Sequence, residues 1–158
     1  MRLRHLSMLL SKLERCEDPD VSLEQYATSG ELAARWMFDI AAFGDLLEES
    51  TVLDLGCGNG ILGIGALHLS ANSAILIDCD SDCCDVSRRN AETLEGTESC
   101  DILEADVTSL DSDLWGIDLV ISNPPWGRQK EKADGPFFDL IESIGVVSHI
   151  MHSSDARH

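Results

Sequence analysis

The sequence predicts an α/β protein: a doubly wound, mostly parallel sheet with helices on both faces. Three observations carry this reading. From residue 51 onward, short apolar runs alternate with helix-like runs. A glycine-rich turn joins the first of those runs directly to a helix, and an acid ends each of three successive strands.

The elements follow in order. "MRLRHLSMLLSKLER" sets Leu3, Leu6, Leu10 and Leu13 at helical spacing with Arg and Lys between them, so it reads as an amphipathic helix and not as a signal peptide. After the polar break "CEDPDVS", the run "LEQYATSGELAARWMFDIAAF" is a second helix, started by a Thr28-x-x-Glu31 capping box. "TVLDL" is a buried strand, "GCGNG" a turn and "ILGIGALHL" a helix. "SAILID" is the next strand, and "SDCCDVSRRNAETL" a helix capped by Ser81. "CDILEAD" and "GIDLVIS" are the third and fourth strands. In "GPFFDLIESIG", Pro136 starts a helix and Gly145 stops it, and "VVSHIM" closes the sheet. One domain over residues 1–158 is expected, with helices in 1–48 and a Rossmann-like core in 51–158.

Composition narrows the partners. A hydrophobic share of 44% and a charged share of 25% are ordinary, but a net charge of −18 is not. So acidic a body meets nucleic acid only through local basic patches or a basic partner. Two patches stand out: Arg2, Arg4, Lys12 and Arg15 near the start, and Arg128, Lys130 and Lys132 after "NPPW". Charge runs are commonly solvated faces, so the phosphate-contact reading is weighed against that one. No apolar run approaches the ~20 residues of a membrane span, so a cytoplasmic protein with no membrane partner is expected. The acidity would suit a salt-rich cytosol. The six cysteines form no C-x-x-C, and no histidine lies near Cys79, Cys83 and Cys84, so reduced thiols and no metal are expected.

"VLDLGCGNGILG" admits two readings. Gly58-x-Gly60-x-x-Gly63 matches the dinucleotide fingerprint. Asp54-x-Gly56-x-Gly58-x-Gly60 matches an S-adenosylmethionine loop. Charge separates them. Pyrophosphate needs backbone N–H groups free of competing anions, whereas S-adenosylmethionine carries an ammonium and a sulfonium that Asp54 would attract. Asp78 suits the ribose hydroxyls under either reading. Asp106 would accept from an adenine amine, with the Val107 N–H facing the ring. Each acid alone reads as a strand-end turn former; three in succession read as a cofactor site.

The stretch "ISNPPWG" sets a rigid platform at the end of the fourth strand, because prolines cannot continue a ladder. The Asn123 side-chain oxygen and the Pro124 carbonyl are acceptors, Pro125 stiffens them, and Trp126 offers a ring on which a base can stack, worth ~1–3 kcal/mol. Such a site suits a planar amine whose lone pair is delocalised. Accepting both N–H groups returns electron density to nitrogen, and positioning then supplies most of the rate. A paired base would have to be flipped out to reach it; a loop base need only be splayed. The bland alternative is a turn with a core tryptophan.

With these residues in view, a resemblance is clear. "VLDLGCGNG" followed by "SNPPWG" resembles the class I methyltransferases that act on planar amides and amines. Together with "LEQYATSGELAARW", "ILIDCD", "DILEADV" and the tail "VVSHIMHSS", it is similar to the archaeal and eukaryotic small-subunit ribosomal RNA adenine-N6 methyltransferases. The resemblance implies that Gln25 and Thr28 close over the cofactor and that Asp54, Gly56 and Gly58 surround its methionine part. It puts Asp78 at the ribose, Asp106 and Val107 at the adenine, and Asn123, Pro124, Pro125 and Trp126 at the reacting amine. It also implies ribosomal RNA as substrate and a small zinc-binding activator protein that extends the sheet at an edge. The family has seven strands where five are legible here; without the final antiparallel pair, the fifth strand is an open edge.

Competing functions are glutamine-N5 methylation of a release factor, DNA adenine methylation, a non-catalytic cofactor- or partner-binding module, and a nicotinamide oxidoreductase. An amide nitrogen poses the same electronic problem as an adenine amine, so the first is the nearest rival.

Overall fold

A computed structural model of the chain describes residues 1–17, 27–111, 116–125 and 133–152. Five strands form one sheet: β1 (Thr51–Leu55), β2 (Ser73–Asp78), β3 (Cys100–Glu104), β4 (Leu119–Ser122) and β5 (Val147–Ile150). Their spatial order is β3-β2-β1-β4-β5, and every pairing is parallel. The expected doubly wound fold is therefore present. The order reverses between β1 and β4, and in such sheets ligands bind outside the carboxyl ends of the strands at that reversal. The glycine turn leaves β1 and the Asn-Pro-Pro turn leaves β4, so the topology brings both to the same crevice.

The helices are α1 (Leu3–Leu10), α2 (Gly30–Phe43), α3 (Ile61–Leu69), α4 (Ser81–Glu92) and α5 (Gly135–Ile144). Helix α3 is apolar all round and is buried from Ile61 to Leu67, as a helix without a polar face must be. One face of the sheet packs Val52, Leu119 and Ile121 against Leu6 and Leu10 of α1, Met37 and Ile40 of α2, and Ile64 of α3. The other face packs Leu53, Leu55, Ile77 and Val120 against Leu140 and Ile141 of α5. Neighbouring strand residues thus feed opposite cores, which is why the strands read as unbroken apolar runs. Among the described residues no helix is long and apolar enough to cross a membrane.

Several local expectations are corrected. Helix α1 ends at Leu10, short of the periodic stretch. Ser29, not Thr28, caps α2, its hydroxyl accepting from the Leu32 N–H at 3.2 Å. Two adjacent hydroxyls compete there, and Thr28 has another partner. Asp80, not Ser81, caps α4, accepting from the Asp82 N–H at 2.9 Å. The third strand stops at Glu104, and Asp106 instead caps a short 3₁₀ turn over Val107–Ser109. The expectation of reduced thiols fails at one pair: Cys16 and Cys83 form a disulfide with Cα atoms 5.4 Å apart, normal spacing for such a bridge. The other four cysteines are free. Burial pushes the Cys84 thiol up to about 11 and Cys100 to about 12, and holds Cys57 well above the ordinary thiol range. Thiols so protonated are poor nucleophiles.

Candidate active site

A cavity of about 1300 Å³ opens at the carboxyl ends of β1, β2 and β4. Gly56 and Gly58 form its floor with backbone φ of +70° and +54°, a region costly for side chains. A Cβ on Gly58 would meet nothing within 4 Å, so a ligand can lie directly against that backbone, whereas one on Gly56 would press the Phe137 ring at 3.1 Å. Gly56 and Cys57 donate to the Ile77 carbonyl at 2.8 and 3.0 Å, which ties the turn to β2.

Asp78 stands at the β2 end and lines the cavity. Its Oδ2 accepts from the Gly58 N–H at 2.8 Å and its Oδ1 from the Asp80 N–H at 3.0 Å. Each carboxylate oxygen keeps a further lone pair for a hydroxyl. Burial raises the Asp78 carboxyl above the usual range, while the Asp80 and Gly58 N–H groups pull it back. Asp106 and Val107 also line the cavity. Asp106 Oδ1 accepts from both the Thr108 N–H, at 2.8 Å, and the Thr108 hydroxyl, at 2.6 Å. Val107 is the first residue of its turn, where a backbone N–H has no partner within the turn.

Asp54 departs from the sequence expectation. It is fully buried beneath the glycine turn and is not among the cavity-lining residues, so it does not surround a ligand directly. Its Oδ2 accepts from the Gly63 N–H at 2.9 Å, at the start of α3, while its Oδ1 is buried with no hydrogen-bond partner among the described residues. Burial pushes its carboxyl up to about 7; the Gly63 N–H opposes the rise and Asp78 adds to it. The side chain is indeed aimed at the turn, but it acts on the backbone that forms the cradle.

At the end of β4, Ser122 anchors the platform by donating to the Leu55 carbonyl at 2.7 Å, bridging the two strands of the crossover. Asn123 and Pro125 line the cavity and Pro124 is buried behind them. The Asn123 Nδ2 donates to the Thr28 hydroxyl at 3.1 Å, so the segment before α2 does reach the platform. Gln25 and Trp126 lie outside the described residues, as do Arg128, Lys130 and Lys132.

Sequence reasoning missed two contributors. Phe137 of α5 walls the cavity beside Gly56; the only signal was a Phe-Phe pair just after a helix-starting proline. The second is a strap formed by residues 13–16, of which Leu13, Arg15 and Cys16 line the cavity. It is held by Glu14, whose N–H donates to Asn90 Oδ1 at 2.8 Å and whose carbonyl accepts from Asn59 and Asn90 at 2.9 and 3.0 Å. Arg89 also clasps the Glu14 carboxylate with two bonds, at 2.6 and 3.0 Å.

A family model described as the methyltransferase small domain matches residues 40–144. The chain belongs to that family. Within it, the chain is 38% identical over 99% of its length to the rRNA N(6)-adenosine-methyltransferase METTL5 of Danio rerio, covering 77% of that protein. It is 36% identical over 95% of its length to an uncharacterized protein of Methanocaldococcus jannaschii, covering 70% of it. Among solved structures, a candidate RNA methyltransferase from Pyrococcus horikoshii superimposes with a TM-score of 0.84 at 32% identity, covering 98% of this chain and 74% of that one. The motif resemblance to the rRNA adenine-N6 methyltransferases therefore holds across nearly the whole chain, and the protein is an S-adenosylmethionine-dependent methyltransferase related to them.

The cavity suits that cofactor. It offers backbone glycine edges without side chains, a carboxylate on the β2 end for hydroxyls, and an N–H at Val107 for a ring nitrogen. Among the described residues no three His, Cys, Asp or Glu side chains gather where a metal ion could sit.

Proposed function

We propose that the protein methylates the exocyclic N6 of an adenosine in ribosomal RNA. The observation that carries this reading is that Asn123 and Pro125 share one cavity with Gly56, Gly58 and Asp78, which sets the platform beside the cofactor cradle.

The residues divide the work. Asp78 holds the ribose hydroxyls of the cofactor, Val107 and Asp106 hold its adenine, and the Gly56–Gly58 backbone lies along its methionine part. Gln25 and Thr28 close over it. When bound, S-adenosylmethionine supplies an electrophilic methyl on a sulfonium. The Asn123 side-chain oxygen and the Pro124 carbonyl accept the two N–H groups of the substrate amine, which draws electron density onto nitrogen. Pro125 stiffens that pair of acceptors, and Trp126 stacks on the base. Thr28 fixes the Asn123 amide by taking its Nδ2, which turns Oδ1 away from Thr28. The rate then comes mainly from positioning and preorganised acceptors.

A small zinc-binding activator is part of the proposal. Edge strand β3 pairs only with β2 among the described residues and leaves Leu103 40% exposed, an edge open to a further strand. Co-purification with such a protein from a co-expressing cell tests it.

The deciding experiment is mass spectrometry of nucleosides from ribosomal RNA incubated with enzyme and isotopically labelled cofactor, with Asn123→Ala as control. N6-methyladenosine carrying the label is expected with the parent protein and not with the variant. Label found only in a release-factor glutamine would replace the RNA reading with its nearest rival.

A further inference from the structure

Residues 1–13 hold Arg2, Arg4, His5 and Lys12 and no acid at all, on a chain with 29 acids against 11 Lys and Arg. Among the described residues none of these cations belongs to an ion pair. Among the described residues, Arg88 and Arg89 are ion-paired with Asp85 and Glu14. Arg2, Arg4, Lys12, Arg15 and Arg35 are all exposed, and none belongs to an ion pair among the described residues.

Their placement is ordered. Arg4 of α1 and Arg35 of α2 border one shallow groove of about 230 Å³, with Glu31 as its carboxylate. Glu31 also borders the large cavity, and Arg15 lines that cavity from the strap. Exposed cations therefore stand at both places, Arg4 and Arg35 at the α1–α2 groove and Arg15 at the crevice that holds Asn123, with Glu31 bordering both. On so acidic a protein, like charges held together without internal partners are satisfied by an external polyanion.

Two features favour a nucleic acid strand over a lipid surface. The apolar stripe of α1 is spent, since Leu6 and Leu10 are fully buried against the core and only Met1, Leu3 and Met8 stay exposed as large apolar side chains. Interfacial helices need that stripe free. The groove also borders, through Glu31, a cavity that Arg15 lines and that a strand could enter.

We propose that the α1–α2 groove with Arg4 and Arg35, continued by Arg15 at the cavity rim, binds the RNA backbone and leads a strand to the Asn123 platform. This rests on the RNA reading given above. The cations act as point contacts to phosphate and carry no sequence information, so they set affinity and salt dependence while the platform selects the base.

The test is fluorescence anisotropy of labelled oligoadenylate titrated with the full chain across a salt series, beside calorimetric titration with S-adenosylmethionine. Each phosphate contact to a single strand contributes about −0.7 to the log–log salt slope. The double variant Arg4→Gln with Arg35→Gln should therefore lower the slope by about 1.4 and weaken binding roughly 25-fold at 0.1 M salt. Its cofactor affinity and melting temperature should match the parent, since both side chains are exposed. Arg15→Gln should lower the slope by about 0.7. Unchanged RNA affinity and slope in a folded, cofactor-binding double variant overturns the proposal. So does preferential binding of the parent to phosphatidylserine vesicles, if the double variant abolishes it. Loss of RNA binding in the variant, with label appearing only in protein substrates, supports this surface while removing the methylation reading on which it was built.

Discussion

The Asn123 Nδ2 donates to the Thr28 hydroxyl at 3.1 Å, joining the end of β4 to the residue that precedes the α2 cap. Under the proposed mechanism Thr28 is a positioning residue, since it holds the amide of Asn123. Thr28→Val keeps the shape and removes the acceptor, and a lost neutral hydrogen bond is worth about 0.5–1.5 kcal/mol. A fall in kcat of about 2- to 10-fold is expected, with Thr28→Ser restoring most of the rate. Equal rates for Val and Ser would show that the bond does nothing for catalysis.

Gly56 is constrained from two sides. Its φ of +70° disfavours any L side chain by about 1–2 kcal/mol, and a Cβ there would press Phe137 at 3.1 Å. Gly56→Ala should lower the melting temperature and weaken S-adenosylmethionine binding together. Adding Phe137→Leu relieves the contact but not the φ, so only part of the melting loss should return. Full recovery in the double variant would mean that crowding alone was the problem.

The Cys16–Cys83 bridge closes a loop of 67 residues across the cavity strap. A cross-link of that span stabilises the fold by about 4 kcal/mol in the chain-entropy account. Reduction, or the paired change Cys16→Ser with Cys83→Ser, should lower the melting temperature by roughly 10 °C and loosen the strap. Thiol titration of the unreduced, denatured chain should count the four free cysteines. A count of six from protein purified without reductant would mean that the bridge does not form.

Much of the fold was readable because its signals are local. β1, β2 and α3 fall on the residues their patterns marked, since apolar runs bounded by a glycine turn leave little choice. The ends of β3 and β4 did not, because Asp106 and Asp118 turned out to serve caps and loops: Asp118 Oδ2 accepts from the Thr51 N–H at 2.9 Å. Gly56, Gly58, Asp78 and Asn123, which spacing and charge mark in the sequence, line one cavity in the structure. The strap was not legible, because Glu14 meets Asn90 across 76 residues and no local pattern encodes that encounter. Neither was the disulfide, since connectivity does not follow from cysteine positions. Asp54 was read correctly as aimed at the turn and incorrectly as facing the ligand; alternation alone cannot say which side of a one-turn loop a carboxylate occupies.

Asp54 makes a prediction of unusual sign. Most buried carboxylates in proteins are paired and lose stability as pH falls; among the described residues this one has a single N–H partner at Oδ2 and none at Oδ1. Burial raises its carboxyl from the ordinary 3.8 to about 7 in the folded state. Between those values the folded protein binds the proton and the unfolded chain does not. The unfolded state therefore holds fewer protons, and this group's contribution to stability declines as pH rises from about 4 to about 7, by up to about 1.4 kcal/mol per pH unit. Below about 4 both states are protonated and above about 7 both are ionised, so the contribution is flat on either side. Asp54→Asn keeps an acceptor for the Gly63 N–H and cannot ionise, so it should remove that decline and raise stability at pH 8 more than at pH 4. Urea unfolding of both proteins across this range measures it. A parent curve that climbs as steeply as the variant's between pH 4 and 7 would show that Asp54 stays ionised in the fold, and the orphan oxygen would then need a partner.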